Sequence, residues 1–177
     1  MKQHSSVPAL RFPEFNENWE VHKFGKLYTF FQTNSFSRAL LNYEGGTVKN
    51  IHYGDIHSKF PTNLDACKQD LPYINEEEDL SKFKAQCYLQ KGDIVIADAS
   101  EDYKDVGKAI EIISTGNQKI LAGLHTYLAR PNTPNIASGF TGIILQTWPA
   151  RYQIMRFATG ISVLGISKSN YAKIQLH

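Results

Sequence analysis

Four carboxylates follow a short apolar run in the middle of the sequence. Residues 92–109 have the sequence GDIVIADASEDYKDVGKA, which contains Asp98, Glu101, Asp102 and Asp105. Carboxylates that converge on one point can hold divalent cations or act as a general acid and base. The spacing matches no calcium-binding loop, and no acid is followed by the Glu-x-Lys triplet of restriction-type nucleases. We therefore predict a polar loop between two strands. A divalent-metal nuclease that uses Asp98, Glu101 and Asp102 remains the alternative.

Other residues suited to catalysis or metal binding lack the spacing that these functions need. His52 and His57 have no cysteine partners, and Cys67 and Cys87 are too isolated for a zinc site. The sequence contains no nucleophile elbow, no glycine-rich dinucleotide loop and no phosphate-binding loop. His125 lies in an apolar run, where a lone histidine is predicted to be a structural group. The sequence thus predicts no catalytic residue, no metal site and no cofactor.

Basic, aromatic and amide side chains are interleaved in three stretches, a mixture typical of DNA-binding surfaces. Lys and Arg contact phosphates, and Arg, Asn and Gln form hydrogen bonds with base edges, while Tyr can stack on bases. The candidate DNA-binding residues are Lys49, Asn50, His52, Tyr53, Tyr103, Lys104, Arg151, Tyr152 and Arg156. An ordinary solvated surface can have the same composition, so residue types alone leave both interpretations open.

The net charge of +2 conceals an uneven distribution along the chain. Residues 61–105 carry eleven acids and five bases, whereas residues 106–177 carry one acid and seven bases. Such asymmetry favours a surface on which one face meets a polyanion while the acidic face points away. We expect Lys49 and Arg151 on the DNA-facing side and the acidic segment 61–79 away from it.

Bulk properties indicate a single globular domain. The chain has 177 residues, 42% of them hydrophobic, which suffices for one buried core. No apolar run approaches the roughly 20 residues that cross a bilayer, so no membrane association is predicted. The two cysteines favour a reduced, cytoplasmic protein over one held by a disulfide.

Hydrophobic periodicity predicts the elements that position these residues. Strands are expected at 19–24 (ended by Gly25), 47–56, 94–97, 108–113 and 120–129. Helical periodicity covers residues 136–158, with a break at Pro149 and Gly160 as the C-terminal cap. Residues 32–46 and 57–82 are predicted to be irregular. The fold class is mixed α/β (α+β), with a twisted, largely antiparallel β core and a helical C-terminal third.

The order of several short segments carries more information than any one of them. These segments are PALRFPEF (8–15), IHYGDI (51–56), KGDIV (91–95), VGKA (106–109), GLHT (123–126) and RFATGIS (156–162). In this order and spacing they resemble the N-terminal target recognition domain of a type I restriction–modification specificity (S) subunit. The resemblance covers nearly the whole chain.

The resemblance implies a protein that recognises one half of a bipartite sequence in double-stranded DNA. Such a domain is non-catalytic, since DNA methylation and cleavage belong to a methyltransferase (modification) subunit and a restriction subunit. The resemblance implies residues 1–177 as one recognition domain, with residues 1–15 as an N-terminal arm. The long helix expected after residue 177 is absent, so we expect an isolated first recognition domain or a truncated form. A protein-interaction module without DNA is a further alternative.

Overall fold

The structure is a computed structural model that describes residues 20–176. The predicted arm of residues 1–15, Trp19 and His177 lie outside the described residues. The first strands are β1 (His22–Lys23), β2 (Tyr28–Phe31), β3 (Leu41–Asn42), β4 (Lys49–Ile51), β5 (Asn63–Asp65), β6 (Tyr73–Ile74) and β7 (Ile94–Ala97). The later strands are β8 (Ala99–Ser100), β9 (Ala109–Ser114), β10 (Ile120–Ala122), β11 (Thr126–Pro131), β12 (Thr159–Gly160), β13 (Leu164–Gly165) and β14 (Gln175–Leu176). The helices are α1 (Phe24–Leu27), α2 (Tyr53–Ser58), α3 (Phe140–Ile144), α4 (Trp148–Phe157) and α5 (Lys168–Tyr171).

A five-stranded sheet forms the centre of the molecule, in the order β2-β11-β7-β9-β5. All its pairs are antiparallel except β9 with β5. Successive residues of β7 alternate between two apolar clusters, with Val95 and Ala97 on one face and Ile94 and Ile96 on the other. Because both faces are covered, the strand is apolar at every position, as the run IVIA indicates. The predicted buried strand and the largely antiparallel core are confirmed.

A second sheet lies beside the first, in the order β10-β4-β6-β3. Its β4–β10 pair is parallel, with Lys49 opposite Ile120 and Ile51 opposite Ala122. The carboxyl ends of these two strands therefore lie side by side, as do their amino ends. Two small sheets complete the fold, namely β1 with β14 and the triplet β12-β13-β8.

Two buried carboxylates tie the central sheet to its surroundings. Asp93 accepts hydrogen bonds from Arg130 at 2.8 and 2.7 Å, and Arg130 also donates to backbone carbonyls. Burial raises the pKa of the Asp93 carboxyl, and the Arg130 guanidinium opposes that rise. Glu111 accepts hydrogen bonds from the backbone N–H groups of Gly139 and Gly142, which holds the start of α3 against β9.

Several predicted elements are wrong in extent. The strand expected over 47–56 covers only Lys49–Ile51, because the next residue, His52, caps α2 by accepting a hydrogen bond from the Gly54 N–H. The strand expected over 19–24 is reduced to His22–Lys23, and Gly25 lies inside α1 rather than ending the strand.

The strand expected over 120–129 is divided in two by a turn at 123–125, and Arg130 and Pro131 belong to the second strand, β11. Gly123 is required in the turn, since a Cβ there would lie 2.8 Å from the Ile51 carbonyl oxygen. His125 follows with a φ of +52°.

The helical third is confirmed, but its break is displaced. The helices α3 and α4 are separated at residues 145–147, and Pro149 lies in the first turn of α4. Proline is tolerated there because the first N–H groups of a helix have no intrahelical acceptor. Ala158 caps α4, while Gly160 belongs to β12. Among residues 20–176, no helix is long and apolar enough to span a bilayer.

Candidate functional site

The carboxyl ends of β4 and β10 lie beside an open cleft, which is lined in part by His125 in the turn after β10. His52 and Tyr53 follow β4, and the turn ending at His125 follows β10, so the parallel pairing brings them together. The Tyr53 ring meets the His125 ring edge-on at 5.3 Å between centroids. The same ring contacts His52 at 4.6 Å and His57 at 6.0 Å. Four aromatic groups from two distant parts of the sequence, residues 52–57 and His125, thus share one edge of the sheet.

Residues from β8, β11, β12 and β13, together with the N-cap of α5, line the cleft. The lining consists of Asp98, Ala99, His125, Tyr127, Thr159, Gly165, Ile166 and Ser167. The Lys168 ammonium lies 5.1 Å from the centre of the Tyr127 ring. Burial raises the pKa of Tyr127 to about 12, so its phenol remains protonated and donates to the Ile166 carbonyl at 2.9 Å. The cleft therefore presents a cation, hydroxyl groups and aromatic rings side by side.

His125 and Asp98 form a pair at the centre of the cleft. The His125 Nδ1 lies 3.3 Å from the Asp98 Oδ1, and the His125 side chain is 52% exposed. The contact is not aligned as a hydrogen bond, and Oδ1 is shielded from solvent without a hydrogen-bond partner in the described part of the chain. The prediction of His125 as a structural histidine on an apolar strand is wrong. It lies in an exposed turn, because the chain must leave β10 to enter β11.

A network behind Tyr53 holds the β4 side of the cleft. The Arg38 guanidinium donates two hydrogen bonds to the buried Asp55 carboxylate, at 2.9 and 2.8 Å. The His52 Nδ1 accepts a hydrogen bond from the Gly54 N–H at 3.2 Å. Burial, assisted by the Arg38 charge, lowers the pKa of His52, which keeps the ring neutral and able to accept that bond. The network fixes the start of α2 and therefore the position of Tyr53.

The acidic loop is a strand–loop–strand connection, as predicted, and its carboxylates have separate partners. Asp102 accepts a hydrogen bond from the Lys104 N–H at 2.8 Å, and Asp105 lies 4.0 Å from the Lys108 ammonium. Asp98 alone reaches the cleft. Over residues 20–176, no three His, Cys, Asp or Glu side chains are grouped so that they could hold a metal ion.

The remaining predicted DNA-binding residues are scattered. Lys49 lies at the opposite end of β4, 5.0 Å from the centre of the Tyr73 ring. The Asn50 side chain is inside the protein, with 0% of the residue exposed. The Arg151 guanidinium donates to the carbonyls of Lys104 and Val106 at 2.6 and 2.7 Å, and burial lowers its pKa. These bonds attach the acidic loop to α4.

The exposed face of α4 carries a ladder of two rings and a guanidinium. Trp148 and Tyr152 lie 5.7 Å apart, and the Arg156 guanidinium lies 5.8 Å from the centre of the Tyr152 ring. Tyr103 reaches the same helix by donating to the Met155 carbonyl at 2.8 Å. The carboxyl end of α4, which carries Arg156, leads into Thr159 of the cleft.

Sequence reasoning missed most of the cleft. It considered Asp98 only as one of a group of possible catalytic or metal-binding carboxylates, and it did not select Thr159, Ser167 or Lys168. A signal was nevertheless present. Four of the short segments contribute a residue to the cleft or to its support. They are IHYGDI, GLHT, RFATGIS and the stretch that begins with KGDIV and continues to Asp98. Short segments that are far apart in one sequence, but that keep the same order and spacing as in a known family, are candidates for a common site.

Comparison with known proteins identifies the fold. The sequence matches no protein-family model and no curated protein. The structure is similar to a type I restriction–modification system S subunit from M. genitalium, with a TM-score of 0.56 and 13% identity, over 96% of this chain and 36% of that one. It is also similar to the HsdS subunit from Thermoanaerobacter tengcongensis, with a TM-score of 0.52 and 13% identity, over 96% and 34%.

A third similar structure comes from work on the assembly and conformational transition of the type I R-M system. Its TM-score is 0.54 and its identity 14%, over 95% of this chain and 35% of that one. The chain therefore spans about a third of the length of the chains it matches. At these identities the shared property is the fold, and the mixed α/β architecture is that of one region of these subunits.

Proposed function

We propose that this chain recognises one half of a bipartite sequence in double-stranded DNA for a type I restriction–modification complex. The observation that carries the proposal is the cleft lined by β8, β11, β12 and β13, which gathers the chemistry of DNA recognition on a fold shared with S subunits. In this proposal the chain is non-catalytic and acts in the cytoplasm. Methylation belongs to a methyltransferase subunit, and cleavage belongs to a restriction subunit that joins through the complex.

The groups of the cleft suit the two kinds of contact that DNA recognition needs. Phosphate contacts position a protein on the duplex, and contacts to base edges provide specificity. The Lys168 ammonium and the Ser167 hydroxyl suit phosphates, whereas His125 and Tyr53 have ring edges for bases.

We revise the candidate contact residues by their exposure. Tyr53 and His52 belong to the cleft and its support, while Tyr152 and Arg156 lie on α4, which leads into it. Tyr103 and Lys104 are exposed on the neighbouring loop.

Three candidates have other roles in this proposal. Asn50 and Arg151 stabilise the fold, because one is buried and the other is bonded to backbone carbonyls. Lys49 lies too far along β4 to join the cleft.

The test is selection of bound duplexes from a random pool by the purified chain. The affinity for the most enriched duplex is then measured at several salt concentrations. We expect one short motif, with a dissociation constant that is micromolar or weaker at physiological salt and that rises as salt increases. Absence of any enriched motif together with salt-independent binding contradicts the proposal. Cleavage of the recovered DNA in Mg²⁺ or Mn²⁺, lost in Asp98→Ala and Asp102→Ala, would instead support the nuclease alternative.

A further inference from the structure

The backbone of His125 adopts a conformation that most residues avoid. Within residues 20–176, His125 and Asn117 are the two non-glycine residues with positive φ, at +52° and +61°. Neighbouring bonds hold the turn in this shape. The Asp98 N–H donates to the His125 carbonyl at 3.0 Å, and the Thr126 hydroxyl donates to the Gly123 carbonyl at 2.5 Å. An unfavourable conformation that the surroundings enforce often marks a functional position.

The neighbouring Asp98 carboxylate favours a proton on the Nδ1 of the His125 ring. The shielded Oδ1 of Asp98 needs a donor, and the His125 Nδ1 lies 3.3 Å from it, whereas the Tyr127 phenol, which also interacts with the Asp98 carboxylate, donates to the Ile166 carbonyl. A neutral imidazole with its proton on Nδ1 has a lone pair on Nε2. In the part of the chain that the structure describes, Nε2 has no hydrogen-bond partner, and the ring is half exposed. The cleft therefore presents a hydrogen-bond acceptor of fixed orientation.

We infer that His125 reads the exocyclic amino group of an adenine or a cytosine, with Asp98 as the residue that positions its proton. The inference rests on the DNA-recognition function proposed above. In the major groove, adenine N6 and cytosine N4 are donors, whereas guanine and thymine present acceptors. A lone pair on Nε2 accepts from the first two bases and is repelled by the last two. The edge-on Tyr53 ring, 5.3 Å away, limits the rotation of the imidazole.

The Asp98→Asn variant tests the role of the carboxylate. An amide in this place can donate to Nδ1, which moves the proton to Nε2 and turns the acceptor into a donor. The same substitution behind the histidine of a serine protease produces the wrong tautomer. We expect the selected base at one position to change from adenine or cytosine to guanine or thymine, or to lose its preference. His125→Ala should lose the preference at that position alone, by about five- to tenfold.

A base analogue supplies a readout that a merely structural role would not affect. In the winning duplex, the adenine or cytosine at this position is replaced by an analogue without the exocyclic amino group. Wild-type protein should bind the analogue about five- to tenfold more weakly, while His125→Ala should bind both duplexes equally. His22→Ala is the matched control, because His22 also pairs with a carboxylate, that of Glu20 at 2.8 Å, but lies outside the cleft.

The outcomes separate this inference from the function on which it rests. If the wild-type chain selects no motif, both the inference about His125 and the proposed DNA-recognition function are wrong. If the wild type selects a motif that Asp98→Asn and His125→Ala leave unchanged, the inference alone is wrong. If His125→Ala loses the preference but Asp98→Asn keeps the wild-type base, the positioning role of Asp98 is wrong. Thermal unfolding verifies that each variant is folded, and His125→Asn, which tolerates positive φ, replaces the alanine variant if that variant unfolds.

Discussion

The two ends of the parallel β4–β10 pair have opposite characters. At the amino ends lie Lys49, Lys119 and Tyr73, with the Lys49 N–H bonded to the Lys119 carbonyl at 2.8 Å. At the carboxyl ends lie Tyr53 and His125, and the His125 Nδ1 contacts the Asp98 carboxylate at 3.3 Å. By sequence charge alone, the lysine end is the better candidate for DNA.

The acidic run Glu76–Asp79 reverses this expectation. The strand β6 pairs antiparallel with β4, and the Ile74 N–H donates to the Val48 carbonyl. The residues after Ile74 therefore continue past the amino end of β4, so the acids and Lys49 lie at the same end of the sheet. Net charge along the sequence therefore does not identify a binding face, because strand pairing decides which charges become neighbours.

The largest expected difference between the two ends is in stability. Asp55→Ala removes the buried partner of Arg38 and loosens the start of α2, so we expect a loss of about 2–3 kcal/mol in the free energy of unfolding. Lys49→Ala, at the other end, should change it by less than about 0.5 kcal/mol. Urea denaturation measures both. Equal losses would mean that the cleft end has no special rigidity.

The next difference concerns DNA affinity. Tyr53→Ala should weaken binding about tenfold, because it removes a ring that the proposal places against the base edges. Lys168→Ala should weaken binding to all sequences and reduce the slope of log affinity against log salt by about one, as expected when a phosphate contact is lost. Fluorescence anisotropy with the selected duplex, at several salt concentrations, measures both effects.

The matched control is the double variant Lys49→Ala and Lys119→Ala. It removes two positive charges from the lysine end, and we expect its affinity to stay within about twofold of the wild type, because the nearby acids already offset those charges. If this variant loses more affinity than Lys168→Ala, the lysine end faces DNA and the assignment of the two ends is reversed.

The smallest expected effect is on pH dependence. Burial lowers the pKa of His52 in the folded protein, so the unfolded chain binds a proton more readily than the folded one. Stability from this group is fully present above the ordinary histidine pKa of about 6.5 and is lost as pH falls below it. His52→Asn keeps a capping side chain but does not titrate. The stability difference between wild type and variant should shrink as pH falls from 8 to 5. A constant difference would exclude this linkage.

Local sequence patterns predicted much of the fold. The run Ile94–Ala97 is apolar at every position because both faces of its strand are covered, and such a run indicates burial whatever the partners are. The periodicity of residues 136–158 indicated helices because it reflects one buried face. The element ends were predicted less well. A side chain such as His52 can end a strand by capping a helix, and the turn at Gly123 depends on the distant Ile51 carbonyl.

The cleft depended on tertiary structure, although the order of short segments pointed to the family whose fold the chain shares. Composition, periodicity and the order of short segments were enough to predict a buried antiparallel core and side chains suited to DNA. Only the pairing of β4 with β10 brought Tyr53 to His125, and only the return of the chain through β13 placed Lys168 beside Tyr127 in the cleft wall. Only tertiary contacts turned Arg151 toward backbone carbonyls. Burial follows from the polarity of each residue and from the spacing of apolar residues along a strand or helix. A site depends instead on contacts between residues that are far apart in the sequence.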